Sequence, residues 1–160
     1  RSRANASTDY VYWQGKVDRT WKLGKNGWNL ESDLYAQASS TNLLPSEQFS
    51  LGGNYAVRGF EDNTIRSDHA LMARIQLNAS PYRFGKLQLQ PFGFYDWGWG
   101  RNASPAANEP DLTLGGAGAG LRGSLGKHLF INTSYGWQIT QDGFEDETSG
   151  RFQIQATLRH

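Results

Sequence analysis

The sequence predicts an all-β protein, an antiparallel β-barrel that crosses a membrane, and three observations lead to this prediction. Apolar and polar residues alternate with a period of two along most of the 160 residues, as in strands with one apolar face. The connections between the predicted strands alternate between short turns and long loops, which is the plan of bacterial outer-membrane barrels. The tryptophans fall on the apolar faces near strand ends, where membrane barrels carry aromatic girdles: Trp13, Trp21, Trp28, Trp97, Trp99 and Trp137.

The first two predicted strands form a hairpin. From Tyr10 to Leu23 every second residue is apolar or glycine, apart from Arg19. The turn at residues 24–27 ends in Asn-Gly, a pair that readily adopts positive φ. A second alternating strand then runs from Trp28 to Ala38.

Five more strands are predicted after an irregular segment at about 40–66. The seven strands are each about 10–15 residues long, which is enough for the roughly 9–11 tilted residues that cross a bilayer. Because proline has no N–H for a ladder, we expect a bulge or local irregularity at Pro91. The apolar rows of the later strands extend over residues 71–79, 87–99, 117–125, 129–139 and 152–158.

Composition excludes several classes of protein. The net charge of +1 gives no reason to expect a nucleic-acid partner. Cysteine is absent, so the chain has no disulfide and no thiolate metal site. No run of about 18 apolar residues is present, which argues against a transmembrane helix but not against alternating membrane strands. The chain lacks an initiator methionine, so we expect a mature form or a piece of a longer protein.

The long irregular segment contains the candidate site. Two adjacent glycines allow a tight bend before Val57, Arg58, Gly59 and Phe60. Arg58 is thus a cation between apolar neighbours at a loop tip. It is either an exposed arginine beside a turn, or a guanidinium offered to a carboxylate in a polar interior. Since the last strand of such a barrel ends in the periplasm, counting strands back places this loop on the extracellular side.

The polar face of the strands would line a water-filled interior. Its charged residues include both signs, so the sequence predicts a mixed-charge interior rather than a filter of one sign. An ion pair in such a hydrated interior would have a modest Coulomb energy. The inward-facing charged residues predicted from the alternation are Glu31, Asp33, Arg74, Asp96, Arg122, Arg151 and Arg159.

Two stretches carry a family resemblance. Residues 44–53, followed by Val57-Arg58-Gly59-Phe60, resemble the conserved loop of the two-partner secretion transporters, the TpsB family. The stretch Phe94-Tyr95-Asp96-Trp97-Gly98 is similar to the inner-wall motif Phe-x-Asp-x-Gly of the wider superfamily. The resemblance implies that the loop folds back into the barrel interior, where Arg58 meets Asp96.

The resemblance also implies a function. Family members export one large exoprotein, such as an adhesin or haemolysin, across the bacterial outer membrane without ATP. Residues 1–160 would be the C-terminal seven strands of a barrel of about sixteen, with the N-terminal half and the periplasmic POTRA-type domains missing. The expected partners are the exoprotein and outer-membrane lipid, with no cofactor and no metal. His160 departs from the pattern, because outer-membrane barrels usually end in an aromatic residue.

Other functions remain open at this point. A barrel-assembly protein of the same superfamily would share the arginine loop and the inward aspartate. A soluble carbohydrate-binding β-protein would use the tryptophans to stack on sugars. The sequence does not predict an enzyme, because His69, His128 and His160 are scattered. The glycines at 115–120 indicate close packing in a strand rather than a dinucleotide loop. An acidic loop is more often solvated than calcium-binding: Asp142, Glu145, Asp146 and Glu147.

Overall fold

The structure is a computed structural model that describes residues 11–62, 65–105, 109–143 and 149–159. The predicted acidic residues Glu145, Asp146 and Glu147, and the terminal His160, lie outside the described residues. The strands of the described part are β1 (Tyr12–Leu23), β2 (Trp28–Ser39), β3 (Phe49–Ser50), β4 (Arg66–Ser67), β5 (His69–Asn78), β6 (Tyr82–Phe84), β7 (Leu87–Arg101), β8 (Leu112–Leu125), β9 (Leu129–Asp142) and β10 (Gly150–Leu158).

Seven long strands form one antiparallel sheet in the order β1-β2-β5-β7-β8-β9-β10, as the alternation predicts. The three short strands were not predicted: β6 adds to one end of β7, and β3 pairs with β4 apart from the main sheet. The short turns after β1, β6 and β8 lie at one edge, here called the turn edge. The long loops after β2, β7 and β9 lie at the other, the loop edge. Over the described ranges, no helix has the length and apolarity needed to cross a membrane.

The strand register confirms the predicted facing of the charged residues. Asp33 lies opposite Arg74, and Arg74 lies opposite Asp96 on the next strand. Cross-strand partners share a face of the sheet, so these charges lie together on the inner face. The apolar residues of the other face are exposed, as for Val17 at 62% and Ile154 at 68%. An apolar outer face around a charged inner face is the arrangement expected of a barrel wall in lipid.

The irregularity expected at Pro91 is present on one side of β7. The β5–β7 pairing ends at Asn78 and Phe92, and β6 resumes at Tyr82 and Leu89 with the register shifted by one residue. The β7–β8 register runs unbroken through the pair of Pro91 and Leu121. The carbonyl of Pro91 accepts from the N–H of Ala79, on the side of β5. In an antiparallel ladder the N–H and C=O of one residue point to the same neighbour. The missing N–H of Pro91 therefore removes no bond to β8. A second register shift lies between β8 and β9, at Gly115 and Gly116.

The assignment of the outer face can be tested with one strand. Val17→Arg should cost about 2–4 kcal/mol in the free energy of unfolding, because it places a charge on the lipid face near mid-strand. Thr20→Arg should cost less than about 1 kcal/mol, because residue 20 faces inward opposite Glu31. Denaturant unfolding of the full-length protein in lipid vesicles would measure both. Equal penalties would contradict the facing.

Candidate functional site

The segment between β2 and β5 folds onto the inner face and shares a small apolar core with the wall. Its base is closed by the β3–β4 pair, and a bridge joins Gly52 to Val57 nearer the tip. Gly59 has φ of +100°, a conformation that strongly favours glycine there. Val57 and Phe60, the apolar neighbours of Arg58, are buried. They belong to a cluster that also contains Leu51, Ile65, Ala70 and Leu114.

Arg58 binds Asp96 directly, so the two motifs predicted from the sequence meet. The Nε of Arg58 donates to Oδ2 of Asp96 at 2.7 Å, and its Nη2 donates to Oδ1 at 2.8 Å. The backbone N–H of Arg58 also donates to Oδ2, at 3.1 Å. A two-pronged contact of this kind fixes the orientation of the guanidinium as well as its position. The backbone bond ties the loop itself to the wall, not only the side chain.

Two further side chains of the wall contact the guanidinium of Arg58. The remaining nitrogen, Nη1, donates to Oε1 of Gln76 on β5 at 2.6 Å. The ring of Phe94 lies under the guanidinium, with its centroid 3.5 Å from Cζ, which is cation–π geometry. Two strands along the sheet from β7, Gln138 on β9 donates to the carbonyl of Gly59 at 3.1 Å. The tip is therefore held by residues of three wall strands, β5, β7 and β9.

Glycines of the wall make room for the loop. A Cβ at Gly98 would lie 2.9 Å from Val57 Cγ2, and one at Gly136 would lie 2.7 Å from the backbone N of Gly59. A Cβ at Gly116 would overlap the carbonyl oxygen of Arg58. The role of close packing predicted for the β8 glycines is thus confirmed. Gly98, the last residue of the Phe-x-Asp-x-Gly stretch, faces the loop together with Phe94 and Asp96.

The expectation of a hydrated ion pair is wrong. Arg58 is 5% exposed and Asp96 is 0% exposed. The apolar residues of the loop pack with Ala70 and Leu114 of the wall, and this cluster covers the pair on the side of the loop edge. Charges buried in this way lose much hydration, and removing one partner leaves the other uncompensated. The pair therefore matters more to the loop than a surface contact would.

A polar cavity of about 220 Å³ adjoins the pair on the side of the turn edge and is lined partly by Arg58 and Gln76. Arg74 also borders it, with Nε 3.6 Å from Oδ1 of Asp96 and no hydrogen-bond partner for that nitrogen. On the opposite side, Arg122 donates from both Nη atoms to the carboxylate of Glu31, each at 3.2 Å. Cations and carboxylates alternate around the cavity, which fits the predicted mixed-charge interior.

The outer part of the loop has a second anchor at Asp68, just before β5. Its fully buried carboxylate accepts from the N–H of Leu43 at 3.0 Å and from Nε2 of Gln48 at 3.0 Å. The other oxygen accepts from the N–H of Ala103 at 2.9 Å. Ala103 belongs to the loop after β7, so one carboxylate joins two loops of the loop edge. This anchor is separate from the contact of Arg58.

The sequence identified part of this site. Arg58, Asp96, Phe94 and the flanking residues Val57, Gly59, Phe60 and Gly98 come together. Gln76 was missed, although its inward position beside the strand of Asp96 could have been found by aligning the two strands. Asp68 was missed because its partners are distant in sequence and no local pattern marks them. No cluster of three or more histidine, aspartate or glutamate side chains suited to a metal occurs within the described ranges.

Comparison with known proteins is consistent with this geometry. The chain resembles the solved structure of CdiB from Escherichia coli, with a TM-score of 0.79 and 23% sequence identity over 95% of this chain. The chain spans 28% of the length of that structure, and the likeness supports the barrel fold. A search of curated proteins gave no significant match. The family model of the haemolysin secretion/activation protein ShlB/FhaC/HecB matches residues 2–123. The chain belongs to this family, the two-partner secretion transporters that its two motifs resemble.

Proposed function

We propose that the chain forms part of the wall and the interior loop of an outer-membrane pore that secretes one large exoprotein without ATP. The observation that carries this proposal is the two-pronged ion pair of Arg58 with Asp96 on the inner face of the sheet, in a chain of the haemolysin secretion/activation family. A loop held in the interior by directional contacts can keep a wide barrel closed at rest, and can yield to a polypeptide that competes for the same space.

The proposal includes a larger barrel than the described strands form. Within the described residues, β1 and β10 are each paired on one side only. Unpaired N–H and C=O groups cost several kcal/mol each in hydrocarbon. We therefore place the seven long strands in a barrel that further strands complete, as the C-terminal part, with the loop side outside the cell. Periplasmic domains that receive the exoprotein belong to the same proposal.

Deleting the gene in its own bacterium should test this function even while the exoprotein is unidentified. One large protein should disappear from the medium, while the abundance of other outer-membrane barrels stays unchanged. Restoring the full-length gene should restore secretion. A general fall in unrelated outer-membrane barrels would instead indicate barrel assembly. Recovery of the full-length protein in the soluble fraction without detergent would favour a carbohydrate-binding protein and contradict the proposal.

A further inference from the structure

An apolar groove lies on the outer face at the turn edge, away from the interior site. Its volume is about 360 Å³, within the range of about 300–1,000 Å³ that is usual for small-ligand sites. Leucine side chains of β7 and β8, with Ile131 of β9, line most of it. The groove exists because Gly123, in the middle of the floor, has no side chain between Leu89 and Ile131.

Two lysines lie in the turns that adjoin the lining residues of this groove. Lys86 precedes β7, and Lys127 lies in the turn between β8 and β9. The N–H of Gly126 donates to the carbonyl of Lys86 at 2.8 Å, so the two turns are joined and their exposed lysines lie on neighbouring turns. Residues 79–87 and 125–129 contain no aspartate or glutamate. The local charge is therefore positive and has no carboxylate beside it in either turn.

The neighbouring strand β6 carries exposed aromatic residues of the kind found at membrane interfaces. Tyr82 and Phe84 of β6 pair with Leu89 and Leu87, and both aromatic side chains are exposed on the outer face. Aromatic rings with lysines beside an apolar surface are typical of the level of lipid headgroups. An apolar groove with two cations in the adjoining turns complements a molecule with a hydrocarbon chain and an anionic head.

We propose that this groove binds an anionic phospholipid, with an acyl chain along Gly123 and the phosphate at Lys86 and Lys127. The inference rests on the proposed membrane placement, in which the turn edge meets the periplasmic leaflet. A secreted polypeptide does not fit as well, because it would pass through the charged interior and not along the outer face. The two lysines would attract the phosphate of the lipid by charge. The apolar groove would hold its hydrocarbon chain by removing apolar surface from water.

The test uses the full-length protein in nanodiscs of phosphatidylcholine with a minor fraction of phosphatidylglycerol. Native mass spectrometry after detergent release counts the lipid that stays bound. The wild type should retain phosphatidylglycerol preferentially. In the double variant Lys86→Gln, Lys127→Gln, the preference for phosphatidylglycerol over phosphatidylcholine should fall roughly 30-fold, or about fivefold for each lysine. Lys25→Gln, at the turn between β1 and β2, is the matched control and should change little.

A second variant tests the groove independently of charge. A Cβ at Gly123 would lie 3.5 Å from Leu89 Cδ2, an ordinary contact, so Gly123→Leu should fold and fill the groove. Retention of both lipids should fall in this variant. Unchanged retention in Gly123→Leu and in the lysine variants would overturn the proposal, as would an equal loss in Lys25→Gln. A photo-crosslinker at position 123 that captures a polypeptide rather than lipid would also overturn it. Because the readout is bound lipid, it is independent of whether the protein secretes anything.

Discussion

Asp96→Ala should release the loop tip from the interior. Arg58 would otherwise remain buried without its carboxylate, a state that costs about 3–5 kcal/mol. Withdrawal of the tip relieves this cost. Residues 1–160 contain no cysteine, so Ala56→Cys, in a full-length protein whose other cysteines are replaced, provides a single reporter at a buried loop position. Its labelling from outside the cell by a membrane-impermeant thiol reagent should speed up by roughly two to four orders of magnitude in the Asp96→Ala background.

The same labelling assay can distinguish the effect of the two-pronged hydrogen bonding of the guanidinium from the effect of its positive charge. Lysine at position 58 keeps the charge but cannot bind both oxygens of Asp96 and Gln76 at once, so Arg58→Lys should also release the tip. The double variant Arg58→Ala, Asp96→Ala should be little worse than either single change, because each removes one shared interaction. Secretion, measured against barrel abundance in the membrane, should follow the labelling.

Glu31→Ala is the matched control for this prediction. Glu31 also binds an arginine through two nitrogens in the same interior, but the side chains of Glu31 and Arg122 are 35% and 39% exposed. Pairs with such exposure contribute about 0–1 kcal/mol. Labelling at position 56 should therefore hardly change. Fully additive effects of the changes at positions 58 and 96 on labelling and secretion would refute the buried ion pair as the anchor of the tip. Labelling at position 56 that is as fast in Glu31→Ala as in Asp96→Ala would refute it as well.

The period of two was enough to predict which face each wall residue occupies. Asp96 and Phe94 lie on the polar side of a long alternating strand, and the side chain of every second residue is bound to share that side. The seven long strands and their order follow from the same pattern together with the alternation of short and long connections. The contact of Arg58 with Asp96 came from the resemblance, because alternation says nothing about where a loop of 27 residues, at about 40–66, folds.

Three features could not be predicted, for physical reasons. The burial of the ion pair depends on Leu51, Val57 and Phe60 packing together inside the barrel, and no local pattern signals that cluster. The anchor at Asp68 joins two loops that are distant in sequence. The effect of Pro91 depends on which neighbouring strand its N–H would have faced, which is a property of the register and not of the residue.

Gly116→Ala should be as damaging to the loop as the loss of Asp96. One methyl group at this position would overlap the carbonyl oxygen of Arg58, a backbone atom that cannot rotate away as a side chain can. The wall at this point is also constrained by the register shift to β9. The tip must therefore move outward, and the bonds from the N–H and guanidinium of Arg58 to Asp96 lengthen or break. Overpacking of this kind costs about 1–3 kcal/mol, before the loss of the pair is added.

Gly93→Ala is the control, because it makes the same substitution on the outer face of the neighbouring strand β7. A Cβ at Gly93 would lie 3.7 Å from the carbonyl oxygen of Gly118, an ordinary contact, and no loop atom is near. Labelling at position 56 and secretion should remain close to wild type in this variant and change strongly in Gly116→Ala. If Gly116→Ala left both unchanged, the loop tip would not rest on β8, because a seated tip has no space for the added methyl group.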